Sequence, residues 1–379
     1  MNTAPGRYVG PPMEFEIAQA KLLSALSLAQ TVADKRSNNQ PILANVLLRA
    51  TKDGRLVCSA TDMTISVTET IPVEVRQPGA LTLGVRSLHN VVRTLPNKPI
   101  RIRSTDNHWA ELSVARSSFK LMGQAHTDFP ELPEIKGQRL VSIPGHAFAD
   151  LLQRTQFSVS TDEARINLNG VLFECNGTLG TMVSTDGHRL TKYSLPLAGP
   201  KLDRGVIIPR KGMLEIKRVL DRIQGEVGLA VDHQHVFLQA QELLLSVKLN
   251  NVVFPPYEKV IPVDFKRRVT ALKEELVDAL RRAEVMAPEK TATVRVQLDK
   301  GSLQLTADNP DLGVAHQEIE IDLQGEPLVA GFNARYLIEV LEAIDTKQVH
   351  LDFQGELEPC VVRPTAGPDY LGVVMPMRI

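Results

Sequence analysis

The chain has 379 residues, with 43 lysines and arginines against 44 acidic side chains, for a formal net charge of −1. This balance excludes a molecule-wide basic field, and the length admits two or three domains, each with its own core. The average conceals a gradient: residues 13–138 carry net +3, residues 139–262 net +2 and residues 263–379 net −7. One end of the chain is thus the electrostatic opposite of the other, which suits head-to-tail association as well as the plain solubility of an acidic last third.

In chain order, MNTAPGRYVGPP is polar and proline-rich without an apolar stretch, and reads as a disordered tail over residues 1–12, not a secretory leader. No apolar run is long enough to span a membrane. A short strand, FEI, then precedes Leu22, Leu23 and Leu26 at helical spacing. VSI precedes Phe148, Leu151, Leu152 and Thr155, and RVT precedes Leu272, Leu276 and Leu280. Each of these helices is followed by a strand pair: ANVLLRA with RLVCSA, GVLFEC with LGTMVS, and ATVRVQL with SLQLTA, joined through KDG, NGT and DKG turns. A second strand and helix follow in each third, the helices marked by Val85, Leu88, Val92 and Leu95, by Met213, Ile216, Leu220 and Ile223, and by Leu337, Val340, Leu341 and Ile344. Further strands close each third: IRIRS, AELSVA and FKLMG; EVGLAV, VFLQA and LLLSVKL; VHLDF, CVVRP and LGVVMPM.

The chain therefore holds six strand–helix–strands units, two per third. One unit cannot bury its helix face alone, whereas two packed helix beside helix can close a core. Proline-bearing linkers, FPELPEIKGQRL and FPPYEKVIPVDF, fall where this predicts. The expected domains are 13–138, 139–262 and 263–379. Cys58, Cys175 and Cys360 lie one per third without metal-ligand spacing, and read as buried small hydrophobes of a reducing, cytoplasmic setting.

The thirds share an echo: SATD ends at Asp62, STD at Asp186 and LTAD at Asp308, at separations of 124 and 122. Only the middle copy continues as a polar, surface-seeking cluster of Asp186, His188, Arg189 and Tyr193. A repeat with one decorated copy suggests a scaffold carrying one special site.

TDGHRL, NGVLFE, VIIPRKG, FPPY and the terminal VVMPMRI together closely resemble the beta subunit of bacterial DNA polymerase III, the sliding clamp, across Met13 to Ile379. The resemblance implies an α+β fold of three tandem DNA-clamp domains, helices lining a ring and antiparallel sheets outside, in a head-to-tail homodimer around duplex DNA. It implies no catalysis, no cofactor and no metal, and as partners the replicative polymerase, an ATP-driven clamp loader and other clamp-motif proteins.

Carried over residue by residue, it places Arg36, Arg86, Asn167, Arg210 and Lys211 near the duplex, with Arg93, Lys217, Arg218 and Arg222 adding charge on the same helices. Ile166 and Asn167 stand where the family often has aromatics. A pocket for short linear motifs would be walled by Leu168, Thr185, Gly187, His188, Arg189, Leu190, Pro255, Lys259, Val260, Leu357, Pro359, Val374, Met375, Pro376, Met377, Arg378 and Ile379. Apolar holes plus a few polar groups, with methionines as adaptable lining, suit such peptides. Ring closure would fall to Phe119, Leu121, Val285 and Met286, helped by Arg101 or Arg103 pairing near Asp299.

Two other classes stay open on the residues alone. Asp186 and His188 could be acid–base partners of an enzyme, although no G-x-S-x-G, Walker A or G-x-G-x-x-G pattern accompanies them. A scaffold that only collects peptides would share the pocket and lack the basic helices. His233 and His235 are two apart, a possible metal pair without an evident third ligand.

Overall fold

The computed structural model describes residues 12–33, 40–367 and 369–379. The expected tail and Arg36 lie outside the described residues, apart from the exposed Pro12. Six α-helices occur among the described residues: α1 (Gln19–Val32), α2 (Val85–Thr94), α3 (Gly145–Gln153), α4 (Arg210–Leu220), α5 (Lys273–Glu284) and α6 (Ala334–Glu342). They pack in consecutive pairs, one pair per third. None is long and apolar enough to cross a membrane.

The chain divides into two compact units. The first combines the chain up to Leu140 with Val227–Lys248. Its antiparallel sheet runs from Glu226–Val231 through His235–Ala240, Leu243–Lys248, Ile65–Pro72, Arg55–Thr61, Asn45–Ala50, Gly79–Gly84, Ser117–Gln124, Trp109–Val114, Pro99–Ser104 and Glu14–Ala18 to Glu74–Gln77. Leu22, Leu26, Leu88 and Val92 bury the inner faces of α1 and α2, and the buried Gln19 side chain donates to the Val92 carbonyl at 2.8 Å.

The second unit comprises Val141–Glu226 and Leu249–Ile379. Its nine-stranded sheet runs Val206–Pro209, Gly170–Cys175, Leu179–Thr185, Arg189–Pro196, Asp369–Val374, Cys360–Pro364, Gln348–Phe353, Arg267–Leu272 and Asp322–Gln324. A four-stranded sheet, Gly313–Glu320, Ser302–Asn309, Thr293–Asp299 and Leu328–Asn333, completes it. Phe148 meets Phe173 edge-on at 5.3 Å in the core beneath α3, a geometry the aromatic quadrupole favours.

Several expectations change. The terminal strand Asp369–Val374 is interior, paired with Arg189–Pro196 on one side and Cys360–Pro364 on the other. The second linker is core, because Phe254 and Tyr257 are buried with Leu172, Leu190, Val361 and Val373, and the Tyr257 hydroxyl donates to Glu174 at 3.0 Å. Leu272 ends a strand, exposed, instead of opening α5. The cysteines, by contrast, are all buried as expected, and desolvation pushes the Cys58 and Cys360 thiols up.

Candidate functional site

The Asp echo is an Asx turn. Asp186 Oδ1 accepts from the His188 and Arg189 amides at 2.9 and 3.1 Å, while Thr185 Oγ1 accepts from the Gly187 amide at 3.1 Å. Gly187 has φ +90°, where a Cβ is disfavoured. Asp62 caps Thr64 and Ile65 in the same way, at 2.8 and 2.7 Å. The third copy departs: Asp308 lies within a strand, and Asn309 makes the turn by accepting from the Asp311 amide.

Arg189 is not the surface group the sequence suggests. Its side chain is 8 % exposed, with Nε on Asp186 at 3.1 Å, Nη1 on Glu339 and Nη2 on the Phe157 carbonyl. Its guanidinium also covers the Tyr336 and Phe157 rings. Tyr193 is likewise buried and donates to Asp150 at 2.8 Å; burial, then the Asp150 carboxylate, pushes its phenol up to about 12. The acidic outer face of α6 is answered throughout: Glu339 by Arg189, Glu342 by Arg281, and Asp345 just beyond the helix by Arg154.

Strand register gathers the candidate pocket. Arg189 lies opposite Val374, which lies opposite Cys360. One residue further along these strands, His188, Met375 and Pro359 leave the same end of the sheet. The start of Gly170–Cys175 lies at the end of Leu179–Thr185, so Leu168 and Gly187 leave that end too. The Met375 amide donates to the His188 carbonyl at 2.9 Å, and the Met377 amide to the Gly331 carbonyl at 2.8 Å. Thr293 Oγ1 donates to Met377 Sδ at 3.6 Å. Exposed apolar surface remains at Val260, Leu357, Met375 and Ile379, with Lys259 and Arg378 also exposed, whereas Pro255, Pro376 and Leu168 are half-buried. Leu190 and Val374 are buried: they floor this end of the sheet and present no wall.

Arg86 and Arg93 are exposed on α2; Arg210 and Lys211 are exposed at the start of α4. Asn333, before α6, is the one residue among the six described helix starts that caps with its side chain. The start of α4 instead offers backbone donors beside cationic side chains, a setting that attracts anions. Further along, Lys217 pairs with Asp221 at 2.9 Å and Arg218 with Glu215, so their charge is partly neutralised. Asn167 is half-buried beside the exposed Ile166.

Two of the sheet edges among the described residues bear on the candidate subunit contact. Ser117–Gln124 pairs with Trp109–Val114 along one side, but on the other only through Gln124 and Gly123. Phe119 and Leu121 lie half-buried on the unpaired stretch. In the second unit, Gly313–Glu320 pairs only with Ser302–Asn309 among the described residues. At its start Met286 lies 3.7 Å from where a Cβ on Gly313 would sit, beside Val285, which is 72 % exposed. Sequence reading missed this strand because, of GVAHQEIE, only Ile319 is buried and no apolar alternation marks it. Arg101 and Arg103 are engaged within their own unit: Arg101 contacts Glu14 at 2.7 Å and Arg103 reaches it at 4.0 Å. The Asp299 carboxylate accepts from Gln297 at 2.8 Å.

The acid–base alternative finds no dyad. Asp186 spends its oxygens on two amides and on Arg189, and the His188 ring stacks near Tyr336 with centroids 6.4 Å apart. His233 sits in a turn outside the strand that begins at His235, and His235 packs against Phe237. No cluster of three metal-ligating side chains occurs among the described residues.

Comparison with known proteins completes the description. Families described as the N-terminal, central and C-terminal domains of the DNA polymerase III beta subunit match residues 13–133, 142–256 and 258–378. The beta sliding clamp of Pseudomonas aeruginosa is 33% identical over 369 residues, covering 97% of this chain and 100% of the relative. That of Caulobacter vibrioides is 32% identical over 374 residues, with the same coverages. A crystal structure of the Pseudomonas aeruginosa subunit superposes with TM-score 0.92 at 34% identity, over 97% of this chain and 100% of that one. A Caulobacter crescentus clamp with PEG bound to a putative beta-motif tethering region gives 0.93 at 31%, with the same coverages.

Proposed function

The chain belongs to the DNA polymerase III beta subunit family of sliding clamps, and on that premise we propose that it encircles duplex DNA as a head-to-tail dimeric ring and tethers the replicative polymerase. Three clamp domains, 13–138, 139–262 and 263–379, would give the ring its six repeats, with the helix pairs inward and the sheets outward.

The observation that carries this reading is the pair of open edges. Ser117–Met122 lies in the third with net +3, and Gly313–Glu320 in the third with net −7. An edge of one copy meeting the other edge of a second copy is a heterologous contact, which closes when its rotation allows. It would also hide two strands that otherwise invite aggregation. Phe119 and Leu121 would face Val285 and Met286 across it; with Arg101 and Arg103 held by Glu14, the apolar residues carry more of the contact than ion pairs do.

No group here is assigned chemistry on a substrate; the mechanism is topological. A closed ring leaves DNA only by opening or at an end, so its phosphate contacts can stay weak and sequence-blind, which permits sliding. Arg86, Arg210, Lys211 and the loop at Asn167 would supply such contacts, along with Arg36. Ring opening is assigned to a separate ATP-driven loader. At the sheet end marked by His188 and Met375, a peptide from the polymerase would dock between Leu168, Pro255, Lys259, Val260, Leu357, Pro359 and the residues from Met375 to Ile379. Tethering turns polymerase rebinding into an intramolecular step at an effective concentration of order millimolar.

The test is primer extension on a single-stranded circle with cognate polymerase, loader and ATP. The clamp should lengthen products from a single binding event, and replacing residues 375–379 by glycine and serine should abolish the gain while the chain still sediments as a dimer. Unchanged product lengths would refute the tether.

A further inference from the structure

The first third carries the same turn as the candidate pocket, with Met63, Thr64 and Ile65 in place of Gly187, His188 and Arg189. The Met63 amide donates to Thr61 Oγ1 at 3.0 Å, and Asp62 Oδ1 accepts from Thr64 and Ile65. The corresponding bonds of the middle third run from Gly187 to Thr185, and from His188 and Arg189 to Asp186. Met63 thus stands where Gly187 stands, 124 residues earlier. Its φ is +73°, a left-handed conformation that a methionine adopts at a cost and glycine adopts freely. The turn is already held by Thr61 and Asp62, so the methionine is not needed to form it. What it adds is an apolar side chain, 55 % exposed, directed to solvent by a strained backbone.

That side chain borders a groove of about 380 Å3 lined with Pro41, Ile42, Gln124, Asp128 and Pro130, within the size range of ligand sites. Pro130 lies 125 residues before Pro255 of the candidate pocket, and Ile42 sits beside Leu43, which lies 125 before Leu168. The groove is therefore the first third's counterpart of that pocket. Its charged lining group is the exposed Asp128 carboxylate, and no cation lines it among the described residues.

We propose that this groove is a second docking site for a short extended peptide of a partner protein, one that places a bulky aliphatic side chain against Met63 and Ile42 and an adjacent cationic side chain near Asp128. The inference rests on the reading of the middle pocket as a peptide site and adds a second, differently charged site to the same chain. A methionine lining adapts to leucine, isoleucine or methionine anchors. A carboxylate at the rim selects for lysine or arginine.

The test uses the full chain and a hexapeptide of serines carrying one photo-leucine followed by one lysine, with crosslinks mapped by mass spectrometry. Crosslinks are expected on residues 40–42 and 63. Met63→Gly, which suits the backbone, should cut them at least fivefold without lowering the melting temperature; Ile42→Glu should abolish them. Replacing the lysine by alanine should weaken capture about threefold, and Asp128→Asn should erase that difference. Crosslinks confined to residues 168–190 and 375–379 would overturn the inference and leave the middle pocket standing. No specific crosslink anywhere would overturn both. Capture near residue 63 that appears only after removal of residues 1–11 would make that segment the occupant and overturn the partner assignment.

Discussion

The guanidinium of Arg189 lies 4.4 Å from the centre of the Tyr336 ring, which binds the decorated turn of the middle third to α6 of the last. With Asp186, Glu339 and the Phe157 carbonyl also on this one side chain, Arg189 fixes the distance between the sheet end that carries His188 and the helix beside it.

Arg189→Ala would leave the half-buried Asp186 carboxylate and the Phe157 carbonyl short of partners. Breaking this part-buried set of charge-assisted hydrogen bonds, in which Glu339 is 42 % exposed, costs about 2 kcal/mol, so the unfolding free energy from urea titration should fall by that amount while the Asx turn persists. Arg189→Lys should recover under half, because an ammonium cannot span three acceptors and stack on two rings at once. Equal stability of the alanine variant would remove Arg189 from the frame of the pocket.

Phe119 lies on the unpaired stretch of Ser117–Gln124. Phe119→Glu should yield folded monomers in sedimentation velocity at micromolar concentration, since a carboxylate cannot be buried against Val285 and Met286 without a partner. Persistence of the wild-type dimer would relocate the subunit contact.

Gly331 lies under the C-terminal residues: a Cβ there would strike Ile379 Cγ2 and the Met377 carbonyl oxygen. Gly331→Ala should lift residues 377–379 from the sheet, speeding carboxypeptidase release of Ile379 and weakening motif-peptide capture about tenfold. The melting temperature should fall by only a few degrees. Unaltered digestion would mean the tail does not rest on this strand.

His235 provides a pH test. Burial holds its imidazole below the ordinary value of 6.5; Asp232 opposes that shift and Lys248 adds to it. Above 6.5 both folded and unfolded chains are neutral here, and the contribution to stability is complete. As pH falls through 6.5 the unfolded chain takes the proton first, so stability drops. The loss of urea midpoint between pH 7.5 and 5.5 should be smaller in His235→Gln; identical losses would exclude this histidine as a contributor.

Much of the fold is legible because the helix period is clean and the strands are short apolar runs bounded by turn residues. Leu22 with Leu26, and Leu88 with Val92, mark helix faces; GVLFEC and LGTMVS are short apolar runs buried almost throughout, with Asn176 capping the turn between them through Thr178 and Leu179. The site is legible only as far as local pattern reaches. The Asx turn at Asp186 is a short-range device, so the sequence reveals it. That Arg189 turns inward is decided by Glu339, 150 residues away, and by Tyr336, neither of which is distinguishable in sequence from an ordinary residue of the helix surface. The strand Gly313–Glu320 escapes for the opposite reason: an exposed edge strand carries few buried side chains and loses its alternation. Likewise Arg101 and Arg103 look available until strand pairing brings Glu14 alongside.

A closed ring is retained on DNA by topology and not by the strength of its contacts. The direct measurement loads the protein with loader and ATP onto nicked circular DNA, removes unbound protein, and then cuts the circle once with a restriction enzyme. The protein should stay on the intact circle at about 0.5 M salt and leave within minutes of linearisation. Equal retention before and after the cut, weakening with salt on both forms, would contradict it and reduce the molecule to an ordinary electrostatic DNA binder.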